Sequence, residues 1–191
     1  LRIAGLLFAD DAVCLAGTEK ELYAIKLKVI AWADKHDMTF GVPKCGLLRF
    51  QDAETILQLK GKVLSQAFVS HDWTINGISI PTPEYYKYLG LEFYIDLDLD
   101  KMSMSRLRLG RAALKSISPF LKCPTIPVRM KVKLLRACII STMAYGAEVW
   151  GFSEHRTIKM DVVINNAARM IMGIKIAQQC SVGAIRAELC I

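Results

Sequence analysis

Apolar positions first gather in two short runs, residues 2–8 and 12–16, split by Ala9-Asp10-Asp11 and closed by Gly17 and Thr18. Runs this short around a polar break predict two strands joined by a tight acidic turn. Thr18 followed three residues later by Glu21 is a capping box, and Leu22, Ile25, Val29 and Trp32 repeat at helical spacing, so a helix is predicted over residues 19–35. Residues 36–43 read as a turn and a short strand, 44–50 as a further apolar strand, and 63–80 as alternating strand material around the Asn76-Gly77 turn. Pro81 and Pro83 end that hairpin. Residues 85–95 are aromatic and β-branched with Leu89-Gly90 inside, which predicts a strand bent at the glycine.

Past Asp96, Asp98 and Asp100 the period changes. Leu107, Gly110, Leu114, Ile117 and Leu121 share one helical stripe and Arg108, Arg111 and Lys115 the stripe beside it, with Pro119 predicted to end the helix by Ser118. A second helix is predicted from Val128 to Tyr145, carrying Arg129, Lys133 and Arg136 on one face. A third is predicted from Thr157 to Met172, with Val162, Ala168 and Ile171, stopping at Gly173. No internal repeat or low-complexity segment is visible. The fold class expected is α+β: an antiparallel-strand half with one packing helix over residues 1–95, then a helical half over residues 96–191.

With 191 residues and 53% hydrophobic side chains, the chain is too apolar for disorder and long enough for a sizeable core. Its longest nearly uncharged run, residues 137–152, contains Glu148 and is too short to span a membrane, so no membrane association is expected. The surplus apolar surface suggests another polypeptide or a further domain as a partner. The formal net charge of +7 favours a polyanionic partner, and it is unevenly placed. Residues 1–100 hold ten basic and fourteen acidic side chains, residues 101–136 ten basic and none acidic, and residues 137–191 five and four. Cys14, Cys45, Cys123, Cys138, Cys180 and Cys190 lack the paired spacing of zinc sites, so reduced thiols of an intracellular protein are expected, in nucleus or mitochondrion alike. The chain opens at Leu1 with no charged and apolar leader, and it is expected to be a piece of a longer or processed chain.

Two adjacent carboxylates between apolar strands are costly unless something compensates them, because the strands are expected to place them beside a buried sheet, and a divalent cation would offset that cost. Asp10 and Asp11 would point in opposite directions, making one the main ligand. Taken alone, an Asp-Asp pair is more commonly a solvated β-turn. Its setting points elsewhere. Phe8-Ala9-Asp10-Asp11 between apolar strands resembles the catalytic hairpin of reverse transcriptases, and three later segments agree in order and spacing. Gly41-Val42-Pro43-Lys44-Cys45-Gly46 resembles the next motif of that family. Tyr86-Lys87-Tyr88-Leu89-Gly90 resembles its bent hairpin under the primer end. The stretch from Leu134 ending Tyr145-Gly146-Ala147-Glu148-Val149-Trp150 is similar to the helical segment after the palm in non-LTR (LINE-type) retrotransposon polymerases.

The resemblance implies a palm-like first half, a thumb-like second half, and an RNA-directed DNA polymerase whose two Mg²⁺ ions clamp the primer hydroxyl and the leaving pyrophosphate. It makes Asp10 the metal ligand and Asp11 an accessory one, assigns Lys44 to protonating pyrophosphate, and gives Tyr88, Leu89 and Gly90 to the primer backbone. Arg106, Arg108, Arg111, Lys115, Arg129, Lys133 and Arg136 would contact the phosphates of an RNA or RNA/DNA duplex. The chain departs from the family in one respect: the third catalytic carboxylate belongs upstream of the hairpin, and only nine residues precede Asp10. The 191 residues alone are therefore expected to be inactive. The alternative is a reverse-transcriptase-derived structural RNA-binding subunit of a ribonucleoprotein such as a mitochondrial ribosome.

Overall fold

The computed structural model describes residues 5–50, 71–174 and 180–191. The chain is mixed α+β, and its residues gather into two compact units, Leu1–Leu97 and Asp98–Ile191.

In the first unit, β1 (Gly5–Phe8) pairs antiparallel with β2 (Asp11–Cys14), Phe8 opposite Asp11. Helix α1 (Glu19–Lys35) follows within the bounds predicted, and the Thr18 hydroxyl accepts the Glu21 N–H at 3.2 Å. A single 3₁₀ turn covers Val42–Lys44, with Pro43 in its first turn. β3 (Thr74–Ile75) and β4 (Ile78–Ser79) flank Asn76-Gly77, both at positive φ, the type I′ geometry expected of that dipeptide. β5 (Tyr85–Tyr88) pairs with β6 (Leu91–Tyr94).

Three expectations change here. The strands predicted within residues 36–43 and 44–50 do not form among the described residues. Pro43 has no N–H for a ladder, and one backbone bond, Leu47 N–H to the Pro81 carbonyl at 2.9 Å, ties that stretch to its neighbour. The strand predicted to bend at Gly90 is a hairpin, because Leu89 and Gly90 take φ of 46° and 79° and reverse the chain in two residues. The strand predicted over residues 63–70 and the start of the one over 2–8 lie outside the described residues. Among the described residues, the core of this unit holds Ala33, Val42, Leu47, Trp73, Ile75, Leu91 and Ile95.

In the second unit, α2 (Leu99–Lys122) starts at Asp98, whose carboxylate accepts the Asp100 N–H at 2.8 Å. It runs through Pro119, against the expected stop. Proline cannot donate to the Lys115 carbonyl, and the Ser118 hydroxyl donates to it instead at 3.0 Å, so the missing bond is replaced locally. The second predicted helix is a continuous run of α3 (Val128–Leu134), a π-helical segment (Leu135–Ile140) and α4 (Ser141–Ala144). Gly146, at φ 74°, breaks it before α5 (Ala147–Trp150). α6 (Glu154–Met172) begins three residues earlier than predicted and ends at Gly173, and α7 (Val182–Leu189) packs against it.

α2 lies along α6 and also packs on α4 and α5. A Cβ on Gly110 would collide with the Met143 side chain, so the absence of one lets these helices approach. Arg156 on α6 bonds Asp100 at 2.6 Å and ties the starts of the two long helices. Leu107, Leu121, Leu135, Ile139, Met143 and Trp150 are the most fully buried large side chains. No described helix is long and apolar enough to cross a membrane.

Candidate functional site

The predicted site residues fall into two groups, one in each unit. In the first, Ala9 and Asp10 are the two turn residues between paired Phe8 and Asp11, and Ala9 takes φ 53° to close the reversal. Asp11 is the first residue of β2. Both carboxylates are exposed, and β1 is exposed along its length, with Leu7 78% and Phe8 61% accessible. This corrects the expectation of an acidic pair set beside a buried sheet. Solvated carboxylates carry no desolvation cost for a cation to offset.

The other predicted segments meet around Tyr86 on β5. Its hydroxyl donates to the Lys44 carbonyl at 2.6 Å. Its ring lies so close over Gly46 that a Cβ there would come within 2.8 Å of Cε2. Burial pushes its phenol above the usual tyrosine range, and the neighbouring Cys45 and Asp11 groups push the same way. One side chain thus touches the Lys44–Gly46 loop, feels the Asp11 hairpin and belongs to the β5–β6 hairpin. Lys44 is exposed and enters this arrangement through its backbone carbonyl. Tyr88, Leu89 and Gly90 are half-buried at the far end of the same hairpin.

Tyr86 lies within the Tyr86–Gly90 motif, where the sequence alone assigns it no role. The available signal was the small residue Gly46 directly after Lys44-Cys45, which marks close approach by another group. For Mg²⁺, Asp10 and Asp11 supply the hard oxygen donors it prefers, and its usual retention of several waters suits an exposed turn. Among the described residues no third His, Cys, Asp or Glu joins them in a cluster.

In the second unit, Arg108, Arg111 and Lys115 are exposed on α2 beside the buried stripe of Leu107, Gly110 and Leu121. Arg129 and Lys133 on α3 and Arg136 in the π segment are exposed as well. Two of these have work within the fold: Arg108 donates to the Ser105 hydroxyl at 3.4 Å, and Arg136 to the Cys190 carbonyl. Arg106 departs from the predicted basic face. It is 8% exposed, with its guanidinium 4.7 Å from the Tyr145 ring centroid, a cation–π contact inside the unit. Helical spacing had put it two residues from Arg108, which is the opposite side of the helix in the α2 packing.

Comparison of the chain with protein-family models, with curated proteins and with solved structures finds no match.

Proposed function

We propose that this chain is the nucleic-acid-holding part of a reverse-transcriptase-like protein, binding an RNA or RNA/DNA template–primer duplex through phosphate contacts. The observation that carries the reading is the exposed set Arg108, Arg111, Lys115, Arg129, Lys133 and Arg136, drawn from a 36-residue block with no acidic side chain. Guanidinium and ammonium groups on rigid helices neutralise backbone phosphates without reading sequence, which suits a duplex that must slide by one base per addition.

Supporting the polymerase side, Tyr86 gathers the Asp11 hairpin, the Lys44 loop and the β5–β6 hairpin, the segments on which the resemblance rests. In that setting Asp10 and Asp11 would hold Mg²⁺, which supplies charge neutralisation at the phosphates being exchanged. Lys44 would serve as a proton donor to pyrophosphate, and Tyr88, Leu89 and Gly90 as the primer support. Two carboxylates are part of a two-ion clamp, so the 191-residue chain alone is expected to give no primer extension on an RNA template with Mg²⁺. Extension by that chain would overturn this point.

Binding is tested by fluorescence anisotropy on an RNA duplex over a salt series. Replacing Arg108, Arg111 and Lys133 together by Ala is expected to make the log–log salt slope shallower by about 2.7. An unchanged slope would sink the assignment of this face.

The alternative, a structural RNA-binding subunit of a ribonucleoprotein, draws support from the solvent exposure of Asp10 and Asp11 and the absence of a third ligand among the described residues. Mg²⁺-dependent nucleotide binding lost in Asp10→Ala favours the polymerase reading. RNA binding indifferent to Mg²⁺ and to Asp10→Ala favours the subunit.

A further inference from the structure

Among the described residues, four buried side-chain polar atoms have no hydrogen-bond partner, and three of them lie on α6 and α7: Asn165 Oδ1, Arg169 Nη1 and Arg186 Nε. Buried polar atoms in folded proteins are nearly always paired, so a group of idle ones on neighbouring helices points to a ligand. Helix geometry groups these three. Asp161, Asn165 and Arg169 follow at steps of four along α6 and share one face, a turn apart. Arg186 of α7, which packs on α6, donates to Asp161 at 2.8 Å and so joins the head of that row. One carboxylate against two guanidiniums leaves the row a net positive charge. The Asp161–Arg186 end opens to solvent, with side chains 49% and 32% exposed, and Asn165 and Arg169 are half-buried beside it.

The idle atoms are of two kinds. Arg169 and Arg186 offer charged N–H donors, which suit the oxygens of a phosphate. Asn165 offers an acceptor, which needs a donor on the same ligand. A DNA backbone has phosphates and no donor beside them, whereas RNA carries a 2′-hydroxyl next to every phosphate. We propose that Asn165, Arg169 and Arg186 form a site for one ribonucleotide of an RNA strand, the two guanidiniums taking its phosphate and Asn165 Oδ1 accepting from the adjacent 2′-hydroxyl. Asn165 is then the residue that tells RNA from DNA. The three atoms hold no bond that docking would break, so a turn of each half-buried side chain toward the open end gains bonds without losing any. Arg186 keeps Asp161 through Nη2 while its Nε is used. The inference rests on the nucleic-acid reading above and adds to it a contact outside the basic face of α2 and α3.

The test uses the full 191-residue chain and two A-form duplexes of one sequence, RNA and its 2′-fluoro form, which lacks the hydroxyl donor, with fluorescence anisotropy as the readout. The parent chain is expected to bind the RNA duplex about fivefold more tightly than the 2′-fluoro duplex. Asn165→Leu removes an acceptor that has no donor, so it is expected to keep its thermal midpoint and to bind the two duplexes alike. If Asn165→Leu loses its helical circular dichroism, Asn165→Ala serves instead, with the same loss of preference expected. Arg169→Met is expected to weaken both duplexes and to make the log–log salt slope shallower by about 0.9. A parent chain that binds both duplexes equally, a folded Asn165 variant that keeps the preference, or an unchanged slope in Arg169→Met would overturn this site and leave the α2–α3 face standing on its own salt slope. Binding to neither duplex would overturn both.

Discussion

Tyr86 shows how much one side chain can organise when its polar and apolar ends are used separately. The hydroxyl fixes the Lys44 carbonyl while the ring covers Gly46, so hydrogen bonding and packing act on adjacent residues of one loop. Gly46→Ala is expected to cost about 1–3 kcal/mol, because the new methyl overlaps a ring that cannot shift without giving up its hydrogen bond. Urea unfolding monitored by circular dichroism checks this. Tyr86→Phe keeps the ring and is expected to cost about 1 kcal/mol in the same measurement. The raised phenol also predicts a pH dependence. The folded state retains the Tyr86 proton while the unfolded chain releases it near pH 10. Stability from this group is therefore intact below that pH and lost as pH rises above it. Comparing the alkaline loss of stability in the parent chain and in Tyr86→Phe isolates it, with the smaller loss expected in the variant. None of this was legible in the sequence, since the partners of Tyr86 lie in segments forty and seventy-five residues away and enter through a carbonyl and a missing Cβ.

At the scale of elements, what was legible is what local chemistry decides. α1 has the predicted bounds because Thr18 caps it, and Asn76-Gly77 turns as expected because both residues tolerate positive φ. Thr18→Ala is expected to cost about 1 kcal/mol, read as a lowered thermal midpoint, with Thr18→Ser close to the parent. What was illegible depended on replacement or context. Pro119 carries the sequence signature of a stop, yet Ser118 gives Lys115 the bond that proline withholds, so α2 gains another turn. Leu89 is an unexpected residue at positive φ, and the hairpin it closes was read as one bent strand. The basic stripe on α2 was legible from period alone, apart from Arg106, which α2 turns toward Tyr145.

For the whole molecule, charge divides between the two units, the first carrying the acidic excess and the second the basic face, while exposed large apolar side chains occur in both, Leu7 and Phe8 in the first and Phe152 and Ile158 in the second among them. Nucleic-acid binding is accordingly expected to weaken by about 10³-fold or more between 50 and 200 mM salt if six or so phosphates are engaged, measurable by filter binding. One feature of the second unit bears on how such a chain can change length. Lys131, Leu135, Ile139 and Met143 are all buried at steps of four. On a regular α-helix, steps of four drift about 40° each around the axis. The wider turn over Leu135–Ile140 draws that line back toward the core. The segment therefore holds one residue more than a plain helix would need to span the same turns. Removing exposed Ala137 would let it relax to α-helix with both flanks still in phase, whereas the same deletion inside α6 would rotate everything beyond it by about 100°. The fold thus carries a built-in spare residue, a place where the gene can lose a codon and the protein keep its core.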